Sequence, residues 1–185
     1  LAALQVALPG LTEARVFDIN RETAEVYSAD MGELLSMDVR AVDSAELAVR
    51  GADVVVTVTV ADEPIVKDAW MKTGSFFSAV GSYQEEEFAV VSNSDKVVVD
   101  GLGHVLHRET PIVALMVEQG MIQEDEILEL SAIVGGEAPG RGTPEERIFF
   151  SPIGMGTEDV CVCNNVYKLA VEKGVGTKLK LWGTE

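Results

Sequence analysis

Asp18 stands at the end of the short run Ala14-Arg15-Val16-Phe17 and is followed by Ile19 and Asn20. A carboxylate at the end of the strand after the first helix of a nucleotide-binding βαβ unit accepts hydrogen bonds from the ribose of adenosine. The same charge repels a 2′-phosphate, which favours NAD over NADP, while Arg21 nearby leaves NADP open. The competing reading of Asp18 is a strand-end residue that caps the next helix. The glycine fingerprint of such a unit lies about 20 residues before its acid, and counting back from Asp18 runs off the front of the chain. The chain opens on Leu1 inside a predicted helix, so the first strand and its G-x-G-x-x-G loop are expected in a longer parent protein.

A second set of chemistry-bearing residues follows two apolar runs, Asp53–Thr59 and Ser75–Val80, each ending in small or hydroxylated residues rather than in a charged turn. Val54-Val55-Val56-Thr57-Val58-Thr59 is apolar on both faces, as a strand in the middle of a parallel sheet with helices above and below would be. Ligands bind beyond the carboxyl ends of such strands, which makes Thr57–Asp62 and Val80–Tyr83 candidate ligand loops.

The elements that must position these residues alternate. Residues 1–8 read as a helix stopped by Pro9-Gly10, Ala14–Asn20 as a strand, Arg21–Leu35 as a helix and Asp38–Val42 as a strand. Ser44 caps a helix that runs to Arg50, and the strand Asp53–Thr59 follows. Lys67–Trp70 is a short helical piece, Thr73-Gly74 a turn, and Glu85-Glu86-Glu87 the start of a helix, where negative charge suits the helix dipole. Lys96–Asp100 is the last short strand before a mainly helical stretch from Gly101 to Gly136. Residues 135–144, rich in Gly and Pro, read as a surface loop or link. A strand at Ile148–Phe150 and a helix from Thr157, as its N-cap, to Lys173 complete the chain. This order predicts an α/β fold, a Rossmann-type doubly wound parallel sheet.

The 185 residues suffice for one full domain with a core, and no apolar run reaches the roughly 20 residues of a membrane-spanning helix. With 14 basic against 31 acidic residues the formal charge is −17, so phosphate repels the surface and neither nucleic acid nor a membrane surface is an expected partner. Cys161 and Cys163 are the only cysteines; they read as ordinary buried thiols of a reducing, cytoplasmic protein, too few for a disulfide framework or a four-ligand zinc site.

Other constellations carry less. His104 and His107 could act as acids, but Gly101 and Gly103 argue for a loop and no carboxylate or nucleophile is paired with them. Glu124-Asp125-Glu126 lacks the alternating spacing and turn glycine of a calcium loop and reads as a solvated helix start, so no metal is expected. Ser92 and Ser94 lie in no nucleophile elbow, and Phe76, Phe77, Phe149 and Phe150 read as sheet core.

The stretches SAELAVRGADVVVTVTVADEPIV, WMKTGSFFSAVGSY and GRGTPEERIFFSPIGMGTEDV together resemble the ornithine cyclodeaminase and mu-crystallin family of nicotinamide-dependent proteins. The resemblance runs colinearly over nearly the whole chain. It implies a Rossmann-type domain, residues 1–138, and a segment 139–185 that holds a loop, a nicotinamide-side strand and a C-terminal helix returning to a second domain, which makes a homodimer and supplies substrate contacts. On that pattern Asp18, Ile19 and Asn20 face the adenosine; Thr57, Val58 and Thr59 line the middle of the cofactor; Val80, Gly81 and Ser82 lie near the nicotinamide; and Ser151–Gly154 closes the other side of that pocket. Tyr83 stands where the cyclodeaminases resemble one another in an aspartate, and a phenol is a poor base at neutral pH, which weighs against ornithine cyclisation. The family's substrate-binding lysine and arginine belong to a region this chain does not contain.

The expectation is therefore an NAD-dependent oxidoreductase acting at the α-carbon of a small amino or imino acid. The competitors are ornithine cyclodeaminase, which returns the hydride and releases ammonia, and a non-catalytic protein that binds the nicotinamide cofactor.

Overall fold

The computed structural model describes residues 1–61, 63–81 and 83–180. It divides into two compact units, 1–153 and 154–185.

In the first unit, α1 (Ala2–Ala7) leads to β1 (Glu13–Val16), α2 (Arg21–Leu35) and β2 (Asp38–Ala41). Both helix starts nearby are local chemistry: Asn20 caps α2 by accepting from the Glu22 N–H, and Ser44 caps α3 (Ala45–Val49) by accepting from the Leu47 N–H. β1 and β2 form a two-stranded parallel sheet. The rest of the unit is β3 (Val54–Thr57), β4 (Phe76–Ala79), α4 (Phe88–Ser92), β5 (Lys96–Val99), α5 (Leu102–Arg108), α6 (Ile112–Glu118), β6 (Ile127–Glu129), α7 (Leu130–Gly135) and β7 (Ile148–Ser151).

These strands form a five-stranded parallel sheet in the order β3-β4-β7-β5-β6. One row crosses it from edge to edge, Val55 beside Phe77, Phe149, Val97 and Ile127, and all five side chains are buried. Phe77 and Phe149 stack at the centre with ring centroids 5.4 Å apart. Against this row pack Val90 and Val91 of α4, Val105 of α5, and Ile112, Val113 and Met116 of α6. Each buried side chain of this size contributes about 1.5–3 kcal/mol by leaving water, so this layer dominates the unit's cohesion.

The last strand in sequence reaches the middle of the sheet because both of its flanks are tied. Gly74 N–H donates to the Glu145 carbonyl at 2.9 Å, and Ile148 N–H to the Ser75 carbonyl at 3.1 Å. On the other flank Asp95 N–H donates to the Arg147 carbonyl at 2.8 Å, and Arg147 reaches Asp68 at 2.7 Å. Gly74 has φ +78° and no room for a side chain, since a Cβ would overlap the Pro144 carbonyl oxygen.

Several expectations are corrected. β3 is an edge strand rather than a central one, because among the described residues it has a ladder partner only in β4, and Val56 on its second face is exposed. The 101–136 stretch holds a strand, β6, so Lys96–Asp100 is not the last before it turns helical. His104 and His107 lie on a helix, α5, both exposed, since Gly101 serves as its N-cap and Gly103 is tolerated inside it.

The second unit carries α8 (Gly156–Lys173), which ends on Gly174 in the left-handed conformation. Its N-cap is Met155, with no side-chain bond, rather than Thr157. Cys161 and Cys163 are exposed free thiols, not buried ones, because no other element among the described residues of their unit covers α8. No helix among the described residues is long and apolar enough to cross a membrane.

Candidate functional site

β3, β4 and β7 are consecutive neighbours and run parallel, so their carboxyl ends emerge side by side. The Thr57 carbonyl accepts from the Val80 N–H at 2.9 Å, which holds the two departing loops together one residue beyond the ladder. On the far side of β4, β7 ends at the buried Ser151. The structure thereby brings together Thr57, Val58, Thr59, Val80, Gly81 and Ser151. This edge of an α/β sheet is where ligands bind.

The edge has a mixed lining. The Thr57 hydroxyl is buried and makes no hydrogen bond, an orphan polar atom at the last residue of a strand. Beyond it Val58 is 68% exposed, Val60 80% and Val80 44%, so the loops present apolar side chains to solvent. Tyr83 is also exposed. Ser82 and Asp62, both within the expected ligand loops, lie outside the described residues. Gly154 opens the second unit with φ +84°.

Asp18, Ile19 and Asn20 follow β1 in the two-stranded sheet and are exposed. Asp18 does not cap α2. Its Oδ1 accepts from the Asn20 N–H at 2.7 Å, and Asn20 makes the cap, so the aspartate organises the turn at the end of its strand and stays open to solvent. Arg21 is engaged elsewhere: it pairs with Glu25 at 2.6 Å and with Asp43. The Glu25 hydrogen bond, then the charge of Asp43, pushes its pKa up further.

Sequence reasoning missed three buried carboxyl groups at this edge. Glu85 and Glu86 do not start a helix but are fully buried before it, and α4 begins only at Phe88 with Glu87 as its N-cap. Glu85 accepts from the Thr59 N–H at 2.5 Å, from the Thr59 hydroxyl and from the Gly81 N–H at 3.1 Å. Asp100, at the end of β5, accepts from the Gly101 N–H and the Ile153 N–H, each at 2.9 Å, which ties the segment after β7 to β5. Glu86 finds no hydrogen-bond partner for either carboxyl oxygen. Burial, reinforced by the charge of Glu85, pushes its pKa up to about 8. The only sequence signal was position: each follows directly or closely on a strand end, where a polar side chain has loops to tie. No group of three or more His, Cys, Asp or Glu among the described residues is placed to hold a metal ion.

Comparison with known proteins agrees with this architecture. The chain is 33% identical over 142 residues to N-((2S)-2-amino-2-carboxyethyl)-L-glutamate dehydrogenase of Staphylococcus aureus, which covers 77% of this chain and 42% of that protein. It is 32% identical over 178 residues to alanine dehydrogenase of Archaeoglobus fulgidus, covering 92% of this chain and 52% of that one. The solved structure of Thermococcus litoralis Delta(1)-pyrroline-2-carboxylate reductase, in complex with NADH and L-proline, superposes with a TM-score of 0.81 at 31% identity, over 91% of this chain and 53% of that one. The chain spans about half the length of the curated relatives it matches. Residues 1–174 match the model of one family, and by that match the chain belongs to the ornithine cyclodeaminase/mu-crystallin family.

Proposed function

We propose that the protein is an NAD-dependent oxidoreductase that transfers hydride at the α-carbon of a small amino or imino acid. The observation that carries this reading is the convergence of Thr57–Thr59, Val80–Gly81 and Ser151 at the carboxyl edge of three neighbouring parallel strands. The residues present fit the cofactor. The orphan Thr57 hydroxyl offers a polar contact, and Val58 and Val80 offer apolar surface for a ring. Asp18 would accept from the adenosine ribose, with Ile19 and Asn20 beside it, and Ser151 would border the nicotinamide side; Ser82 and Gly154 are kept as proposed cofactor-binding residues.

NAD, when bound, supplies the hydride acceptor or donor. Oxidation of an amino acid removes hydride from the α-carbon and a proton from the amine to leave an imine; reduction runs the reverse. The chain's part is orientation and exclusion of water: Val58, Val60 and Val80 present the apolar surface, while the carboxylate of Asp18 disfavours a 2′-phosphate, with Arg21 committed to Glu25 and Asp43. The reading extends to a cytoplasmic homodimer. Two exposed free thiols suit a reducing compartment, and the exposed Val160, Val166 and Leu169 of α8 suit burial against another polypeptide surface.

The test uses the full-length protein with NADH and a panel of cyclic imino acids, and in the other direction NAD with alanine and proline. Expected is substrate-dependent oxidation of NADH for at least one cyclic imino acid or reduction of NAD by one amino acid. Proline and ammonia formed from ornithine with no net NADH would replace the reading by cyclodeamination. Tight NADH binding without turnover on any of these would replace it by a binding role.

A further inference from the structure

Glu85 sits between the two loops on which the proposed cofactor site depends. Its side chain is fully buried, and each carboxyl oxygen serves a different loop. Oε1 accepts from the N–H of Thr59, at 2.5 Å, and from the Thr59 hydroxyl, after β3; Oε2 accepts from the N–H of Gly81, at 3.1 Å, after β4. The Thr59 hydroxyl oxygen in turn accepts from the Ala61 N–H at 3.2 Å, which carries the restraint further into the first loop. Glu85 is itself held from behind, since its carbonyl accepts from the N–H groups of Ile65 and Val66 at 2.8 and 3.1 Å. The carboxylate also dictates the residue opposite: a Cβ at Gly81 would fall on the Glu85 carboxyl group.

We propose that Glu85 is a positioning residue, a carboxylate clasp that sets the separation of the Thr57–Thr59 and Val80–Gly81 loops at which the cofactor fits. The proposal rests on the cofactor reading above. It acts through Thr59 and Gly81, with no contact to cofactor or substrate of its own. A carboxylate suits the place because every group facing it is a donor, and it accepts without offering a competing N–H or O–H. Glutamine cannot replace it: of its two terminal atoms one is an NH2 donor, which would face either the Thr59 donors or the Gly81 N–H.

The test is Glu85→Gln in the full-length protein, read by thermal unfolding, by amide hydrogen exchange without cofactor, and by NADH binding followed through NADH fluorescence. Expected is a folded variant in which exchange at Thr59 and Gly81 quickens by at least about tenfold, the weight of one hydrogen bond to a charged group, while Phe77 and Phe149 stay protected. NADH affinity falls by a similar factor. Unchanged exchange at both amides overturns the clasp, and so does quickened exchange with wild-type NADH affinity. Wild-type protein that binds no NADH overturns the cofactor reading and with it the purpose assigned to the clasp, whereas exchange in the variant still reports the clasp itself. Should Glu85→Gln fail to fold, Thr59→Val, which deletes only the hydroxyl arm, carries the same test: quickened exchange at Ala61 and weakened NADH binding support the proposal, and wild-type values of both overturn it.

Discussion

Substitution of Glu86 should stabilise the protein, and increasingly so as pH rises. The side chain is fully buried with neither carboxyl oxygen hydrogen-bonded, and its pKa is pushed from 4.5 up to about 8, first by burial and then by the charge of Glu85. The folded state therefore keeps a proton that the unfolded chain releases. Stability is complete below the unfolded value of 4.5, is lost as pH rises through the interval up to about 8, and is level above it. At about 1.4 kcal/mol per tenfold in proton activity, the cost of ionisation is roughly 1 kcal/mol at pH 5, roughly 3 at pH 7 and roughly 5 at pH 9. Glu86→Gln removes ionisation while keeping shape and hydrogen-bonding capacity. Glu86→Leu also removes the unpaired polar group, which is worth about 1–3 kcal/mol more. The assay is urea unfolding at these pH values. With a urea slope of about 1–3 kcal/mol per M, the gap between the Glu86→Gln and wild-type midpoints should widen by about 2 M from the lowest to the highest pH. Midpoints that shift in parallel across this range would refute the reasoning, since a buried, uncharged acid would then not be what Glu86 is.

Phe149→Ala, at the centre of the buried row and stacked on Phe77, should cost about 3–5 kcal/mol, measured as the fall in unfolding free energy. Asp18→Ala should weaken NADH binding by about tenfold, the worth of a charge-assisted hydrogen bond, and narrow the preference over NADPH; equal loss of both cofactors in a fluorescence titration would count against the ribose role.

How much was legible in the sequence follows the range of the interactions. The limits of α2 at Arg21 and Leu35, and the Ser44 cap of α3, are set within a few residues of chain, by propensity and by side-chain oxygens that reach N–H groups two or three positions on. The apolar runs that became β3, β4 and β7 were legible for the same reason, and their shared direction follows from the alternation of strands and helices. The family could be named from three short stretches because it rests on residue identities alone.

Tertiary structure decided the rest. β6 reads locally as part of a helix, and only pairing of Ile127–Glu129 with Val97–Val99 makes it a strand. The insertion of β7 between β4 and β5 depends on partners more than 50 residues away, such as Asp95 for Arg147. The acidic run at Glu85 is the clearest case. Three consecutive carboxylates are, as a local pattern, a solvated helix start, and nothing in their composition reports burial. Glu85 and Glu86 are buried because the segment after β4 pairs with the segment around Val66, through the Val66 and Glu86 bridge, and that pairing turns one carboxylate toward the N–H groups of Thr59 and Gly81 and leaves the other with no partner. Sequence determines what a side chain can accept or donate. Which donors surround it, and whether water is among them, is fixed only when distant strands are brought side by side.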